Sequence, residues 1–270
     1  MNKILIILFA LTVTIASCGP SQEELASKAF SKAEDLYRSK KFNDTKLLLD
    51  SIIESFPGQT EFVTRSKDLL RKIRISEQEQ NLVFLDSLLQ AKEKELEPMM
   101  KNFIKSDEYG GKTILIHKRQ KPENSYSRTF IRAHLDIDGN FYISSRYTGD
   151  HWIYHDQVKV YNKDQSALTE KIPEDGFLNR RFEDGGTKWE IVSYKNGKDN
   201  GVIDFIAANW DKPLKVQYRG KKYYYIVMEK FDKEAIRDAN EISYVLKEIK
   251  RIKEEMKNVR QQLSQLKPNP

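Results

Sequence analysis

The residues best equipped for recognition in this chain are aromatic: Trp152, Trp189, Trp210 and the run Tyr223-Tyr224-Tyr225. Exposed aromatic faces stack on sugars or anchor protein interfaces, and Arg219, Lys221 and Lys222 beside the tyrosines can hold an anion. Strand alternation sets Tyr224 opposite Tyr223 and Tyr225, so Arg219, Tyr223 and Tyr225 form the candidate ligand-binding group. Trp152 and Trp189 lie in strand-like runs, where tryptophan is expected in a core. His151 and His155 share one face of an extended strand but stand about 13 Å apart there. Zinc is bound at about 2 Å per ligand, so the pair reads as surface histidines and no metal site is expected. Asp136-Ile137-Asp138-Gly139-Asn140 has the opening of a calcium loop, yet Tyr147 stands where the bidentate glutamate belongs, which leaves a hairpin turn. Glu183, Asp184 and Glu190 are expected as turn and strand-surface carboxylates, not as a glycosidase pair. No glycine-rich phosphate loop, nucleophile elbow or His-Glu-x-x-His motif occurs. The reading is of a chain with no catalytic residue, no cofactor and no metal.

Composition narrows the partners. In 270 residues, 46 lysines and arginines face 40 acids, a net charge of +6, but the signs alternate along the chain, which gives no reason to expect nucleic acid. One cysteine excludes an intrachain disulfide and a zinc site built on several cysteines. Lys3 precedes an apolar run from Ile4 to Ala16, the length of a signal-peptide core and too short to span a bilayer. That run ends in Ile15-Ala16-Ser17-Cys18, which resembles the lipobox of bacterial lipoproteins: a branched residue, two small ones, then the cysteine that takes the lipid. The resemblance implies removal of residues 1–17, lipidation of Cys18 and a membrane tether, each buried methylene adding about 0.8 kcal/mol. Gly19 replaces the aspartate that the enterobacterial sorting rule uses for inner-membrane retention, which implies the outer membrane; its side stays open. Ser21-Gln22-Glu23-Glu24 suits both a short surface-export signal and a helix start with acids at the positive dipole end.

Helical periodicity places Leu25, Ala29, Ala33, Leu36 and Tyr37 on one face, and Leu47, Leu48, Ile52 and Ile53 on another after a break at Lys40 to Asn43. This predicts a helical hairpin over residues 18–75, with a third helix from Glu61 to Ile73 as its cover. With Ala29, Ala33, Leu36, Phe42, Leu49, Ile52 and Phe56-Pro57, the hairpin resembles one tetratricopeptide repeat, although Lys32, Thr45 and Ile52 depart from that pattern. A single repeat cannot build the groove of an array, so a small docking module is implied. A stalk helix follows over 76–105, with Leu82, Leu89, Leu96 and Phe103 seven apart and Pro98 ending the helix near Glu97. In residues 232–270, Ile242, Val245, Ile249, Ile252, Met256, Val259, Leu263 and Leu266 alternate steps of three and four, a coiled-coil seam on a helix about 50 Å long. Two arrangements are open: antiparallel packing on the stalk within one chain, or pairing with a protein partner or second copy through this helix.

Residues 106–231 change to short β-branched and aromatic runs: Thr113 to His117, Ser127 to Ile137, Phe141 to Tyr147, Trp152 to Tyr161, Lys188 to Tyr194, Leu214 to Tyr218 and Tyr223 to Met228. Turn signals separate them, and Val202 to Ala208 fits a short covering helix. The fold class is therefore α+β: a helical hairpin module, an antiparallel β-sandwich-like head and a long coiled-coil-like C-terminal helix. The series Asp107-Glu108-Tyr109-Gly110-Gly111, Ser145 to Ile153, Thr187 to Glu190, Lys215 to Gly220 and Tyr223 to Tyr225 resembles an uncharacterised β domain of bacterial and phage-associated lipoproteins. That resemblance brings no activity with it. The expected role is a membrane-anchored binding or scaffold module, with glycan binding as the alternative and a hydrolase with an unrecognised site as the second.

Overall fold

A computed structural model of the chain describes residues 20–107 and 112–267. The lipobox, Cys18, Gly19 and the stretch 108–111 lie outside the described residues. The described residues divide into two compact units, one of residues 20–81 with 261–267 and one of residues 82–107 with 112–260.

In the first unit, α1 (Gln22–Arg38) begins at a reciprocal capping box: the Ser21 hydroxyl accepts from the Glu24 amide and the Glu24 carboxylate accepts from the Ser21 amide. α2 (Phe42–Ser55) turns back along it. α3 (Thr60–Met99) supplies Phe62, Leu69, Leu70 and Ile73, which close a core of Ala26, Phe30, Ala33, Leu49 and Ile52. The hairpin and its cover form as the periodicity predicts, but their faces are rotated. Ala26 and Phe30 point inward while Leu25 is 37% exposed; Leu49 is buried while Leu47 is 71% exposed. A run such as Leu47-Leu48-Leu49 fits several phases of a 3.6-residue period, and packing against α3 selects one. α3 is also one continuous helix, where two were expected, and it carries Pro98 inside its last turn.

In the second unit, β1 (Phe103–Ser106), β2 (Ile114–His117), β3 (Phe130–Asp136), β4 (Phe141–Gly149), β7 (Asn179–Asp184) and β8 (Thr187–Tyr194) form one antiparallel sheet in the order β1-β2-β3-β4-β8-β7. β5 (Gln157–Tyr161), β6 (Ser166–Leu168), β9 (Lys215–Arg219) and β10 (Tyr224–Val227) form the other, ordered β10-β9-β5-β6. Alternation buries Ile131, Ile143, Val192 and Tyr194 of the larger sheet against Val158, Val160, Val216 and Tyr218 of the smaller. α5 (Val202–Ala208) adds Val202, Ile203 and Ile206. α6 (Lys230–Leu266) sets Ala239, Ile242 and Leu246 against Phe103, Leu115 and Leu135, with Leu96 and Met99 at the margin. The seam residues from Ile242 to Leu263 are all buried in the single chain. β1, β6 and β7 went unrecognised in the sequence because they are short or carry a charged outer face.

The junction of α6 with the larger sheet rests on the one-turn segment ending at α4 (Pro122–Ser125). β2 pairs with β3 only at Ile114–Asp136 and Leu115–Leu135. Beyond that, the buried Gln120 side chain replaces the ladder: its amide nitrogen donates to the Ile131 carbonyl at 3.0 Å and its oxygen accepts from the Ala133 amide at 2.9 Å. The same nitrogen donates to Asp232 of α6 at 2.9 Å, and Arg128 pairs with the other carboxylate oxygen. At the far end of β3 the turn at Gly139, with φ +80°, meets α6 so closely that a Cβ there would lie 2.8 Å from the Ser243 carbonyl oxygen. Gln120→Leu leaves two backbone groups and part of a buried carboxylate unpaired, with an expected loss of about 3 kcal/mol. A urea midpoint lowered at unchanged slope is the measurement that shows it.

Candidate functional site

β4 ends at Gly149, and residues 150–156 cross to β5 without extended geometry: Tyr154 has φ +55°, a conformation that side chains other than glycine rarely adopt. The cause is Glu190 on β8. Its side chain is fully buried, and its carboxylate accepts from the backbone amides of Ile153 (2.8 Å), Tyr154 (2.8 Å) and His155 (2.7 Å), and contacts His155 Nδ1 at 2.8 Å. Burial alone would raise this carboxyl, but His155 and the loop amides outweigh it and hold Glu190 below the ordinary glutamate value. From the other side β9 presses on the loop, and a Cβ on Gly220 would stand 2.3 Å from the Tyr154 carbonyl oxygen.

These contacts revise four expectations. Only Gln157–Tyr161 of the run Trp152 to Tyr161 is strand, because Glu190 draws the preceding backbone into a bent loop. His155 is buried, not a surface histidine, and Glu190 is a core carboxylate, not a strand-surface one. Trp152 is half-buried, with the Lys188 ammonium 5.5 Å from its ring, whereas Trp189 is in the core as expected. Glu183 pairs with Lys188, and Asp184 accepts from the Tyr126 hydroxyl, so both are turn groups. The Asp136 turn is a hairpin whose carboxylate binds its own backbone. Among the described residues no cluster of three or more metal-ligating side chains occurs.

His155 Nε2 lies 2.8 Å from the Ser145 hydroxyl, which completes a Ser145–His155–Glu190 chain with the connectivity of a hydrolase relay. Its surroundings are those of a support, not of a nucleophile. Ser145, His155 and Glu190 are each 0% exposed, and the Ser145 oxygen is shared with the Tyr194 hydroxyl at 3.1 Å. An acyl group has no approach to that oxygen.

In front of the support is a pocket of about 440 Å³, lined by Tyr154, Asn179, Arg181, Arg219, Lys221 and Tyr223 among others. Lys171, Arg181, Arg219 and Lys221 contribute four cations to its wall, against Asp156 and Glu174. Arg181 donates to the His155 carbonyl at 3.3 Å, pairs with Glu174 and stands 3.8 Å from Glu190. Its guanidinium is 5.3 Å from the Tyr154 ring centroid and the Lys221 ammonium is 4.4 Å from it. Arg219 lies 6.0 Å from the Tyr223 ring. Asn179 is fully buried; its nitrogen donates to the Ile172 carbonyl at 2.7 Å, while its oxygen has no hydrogen-bond partner. Thus the structure brings Arg219 and Tyr223 of the expected group together. Tyr225 is not part of this wall and accepts from Gln217 at 2.8 Å. Tyr224 sets its ring edge-on to Tyr147 and Tyr218 while staying 37% exposed. Arg181, Asn179, Tyr154 and Glu190 were missed. One signal for Glu190 was available: it alternates with Val192 and Tyr194, which places it on the inner face.

Stabilisation by Glu190 is complete above the ordinary glutamate pKa and is lost as the pH falls through its lowered folded value. Glu190→Gln is expected to lower stability by about 3 kcal/mol at pH 7, because the loop amides and His155 lose a charged acceptor. Urea titrations at pH 7 and in the acid range should show the gap between variant and parent closing in acid. No family model, no curated protein and no solved structure matches the chain.

Proposed function

We propose that the chain is a lipid-anchored, non-catalytic binding protein of the bacterial outer membrane, whose β domain takes an acidic saccharide at the Arg219–Tyr223 pocket. The observation that carries the ligand class is the convergence, in one cavity, of four cations on two carboxylates beside the exposed ring of Tyr223. A uronate-type sugar supplies each complement. Its carboxylate meets Arg219 and Lys221, and a ring face lies on Tyr223, which is 55% exposed. Strain at Tyr154 fits the same reading, since backbone held in a sparsely populated region clusters at binding sites.

The membrane part of the reading is supported by the lipobox-like Ile15-Ala16-Ser17-Cys18. No described helix is long and apolar enough to cross a membrane. A protein partner or second copy would meet α6 on its outer face near Tyr244, which is 58% exposed, because the apolar seam is already occupied.

On an affinity gel carrying polygalacturonate, the full chain should be retarded at low salt and a neutral glucan gel should leave it unretarded. Arg219→Gln and Tyr223→Ala should each weaken retention by about 1–2 kcal/mol. Equal retention on both gels, or by the parent and both variants, rules the ligand class out. In cell fractionation, Cys18→Ala should move the protein out of the membrane pellet; a variant that stays there refutes the anchor.

A further inference from the structure

The larger sheet has a second face, turned away from the sandwich core. Alternation along β3 and β4 places Arg132, His134, Tyr142 and Ser144 there, with His134 opposite Tyr142 and Arg132 opposite Ser144. The His134 and Tyr142 rings stack at 4.6 Å and 1°, and His134 Nε2 lies 2.8 Å from the Ser144 hydroxyl. Lys195, just past β8, brings its ammonium to 4.7 Å from the Tyr142 ring. Arg132, His134, Tyr142 and Lys195, together with Arg180 of β7 and Lys112, line a cavity of about 450 Å³.

Four cations, Lys112, Arg132, Arg180 and Lys195, face one carboxylate in this wall, that of Asp136. That carboxylate is already engaged by the amides of Asp138 (2.9 Å) and Asn140 (2.9 Å) and by the Asn140 side chain (2.7 Å). Arg180 and Lys195 form no ion pair among the described residues. The convergence of charge registers on His134: its burial, then Arg132, Arg146, Lys195 and Arg180, hold the imidazole down to about 3. At neutral pH the ring is therefore an uncharged floor beneath a concentrated positive field.

We propose that this cavity is a second ligand site and takes a phosphate monoester. Lys112 pairs with Asp138 at 3.8 Å, whereas Arg180 and Lys195, which form no ion pair among the described residues, bring two positive charges to the wall. A phosphate dianion, with three acceptor oxygens, matches guanidinium and ammonium donors together. Ile114 beside the His134–Tyr142 stack gives the organic half of the ester an apolar wall. This site is on the opposite face of the sheet from Glu190 and stands independently of the saccharide reading.

The test is calorimetric titration of the full chain at low salt with phenyl phosphate, benzoate and inorganic phosphate, together with imidazole resonances of the four histidines. Phenyl phosphate should bind at least tenfold more tightly than benzoate and more tightly than inorganic phosphate, and should perturb His134. Arg180→Gln and Lys195→Gln should each weaken it at least fivefold, with unchanged circular dichroism, while Arg219→Gln leaves it unaltered. Absence of saturable binding, equal affinity for benzoate, full affinity in the Arg180→Gln/Lys195→Gln double variant, or loss in Arg219→Gln overturns the proposal.

Discussion

A single buried carboxylate sets the geometry of the β domain's inner end. Glu190 has no solvent and the Arg181 guanidinium comes only to 3.8 Å, and the loop from Ile153 to His155 bends so that three amides and an imidazole satisfy the carboxylate. Everything at the Arg219 pocket follows from that bend. Tyr154 is turned outward between Arg181 and Lys221, the His155 carbonyl is offered to Arg181, and Gly220 is confined to having no side chain. The Ser145 and Tyr194 hydroxyls extend the network inward, where burial raises the Tyr194 phenol. Polar networks of this kind specify one arrangement, since a half-satisfied alternative leaves charge in the core.

The same sheet carries two unlike faces. Inward, the row Tyr147, Glu190 and Arg181 crosses three neighbouring strands and ends the apolar core in a polar cluster. Outward, the His134–Tyr142 stack is flanked by Arg180 and Lys195, which form no ion pair among the described residues. Both faces therefore gather cations beside aromatic rings, with different neighbours: tyrosines on one, a stacked imidazole and phenol on the other.

Much of this architecture was legible in the residues. The heptad steps from Ile242 to Leu263 foretold a buried seam, and Val202 to Ala208 and the β3–β4 turn form where periodicity and turn chemistry put them. The site was less legible, because its organiser acts across the fold. His155 and Glu190 are separated by 35 positions, and nothing local to His155 reveals that a carboxylate will bend its backbone. Arg181 was hidden for a related reason: its strand reads as charged and exposed until Glu190 gives one of those charges a reason to turn inward. Arg219 and Tyr223 were found because they are near each other in sequence.

The hold of α6 on the rest of the unit has a kinetic side. Gln120 reaches Asp232 across 112 positions and Ser243 reaches Gly139 across 104, so the helix and the β1–β3 end of the sheet meet only through very distant contacts. Loop closure on that scale is slow compared with the local pairing of β3 with β4 or of β9 with β10. During synthesis the strands come first and wait, with Leu115 and Leu135 uncovered, until α6 has been made. A domain whose interior is sealed by a segment so distant in sequence stays open until that segment is in place.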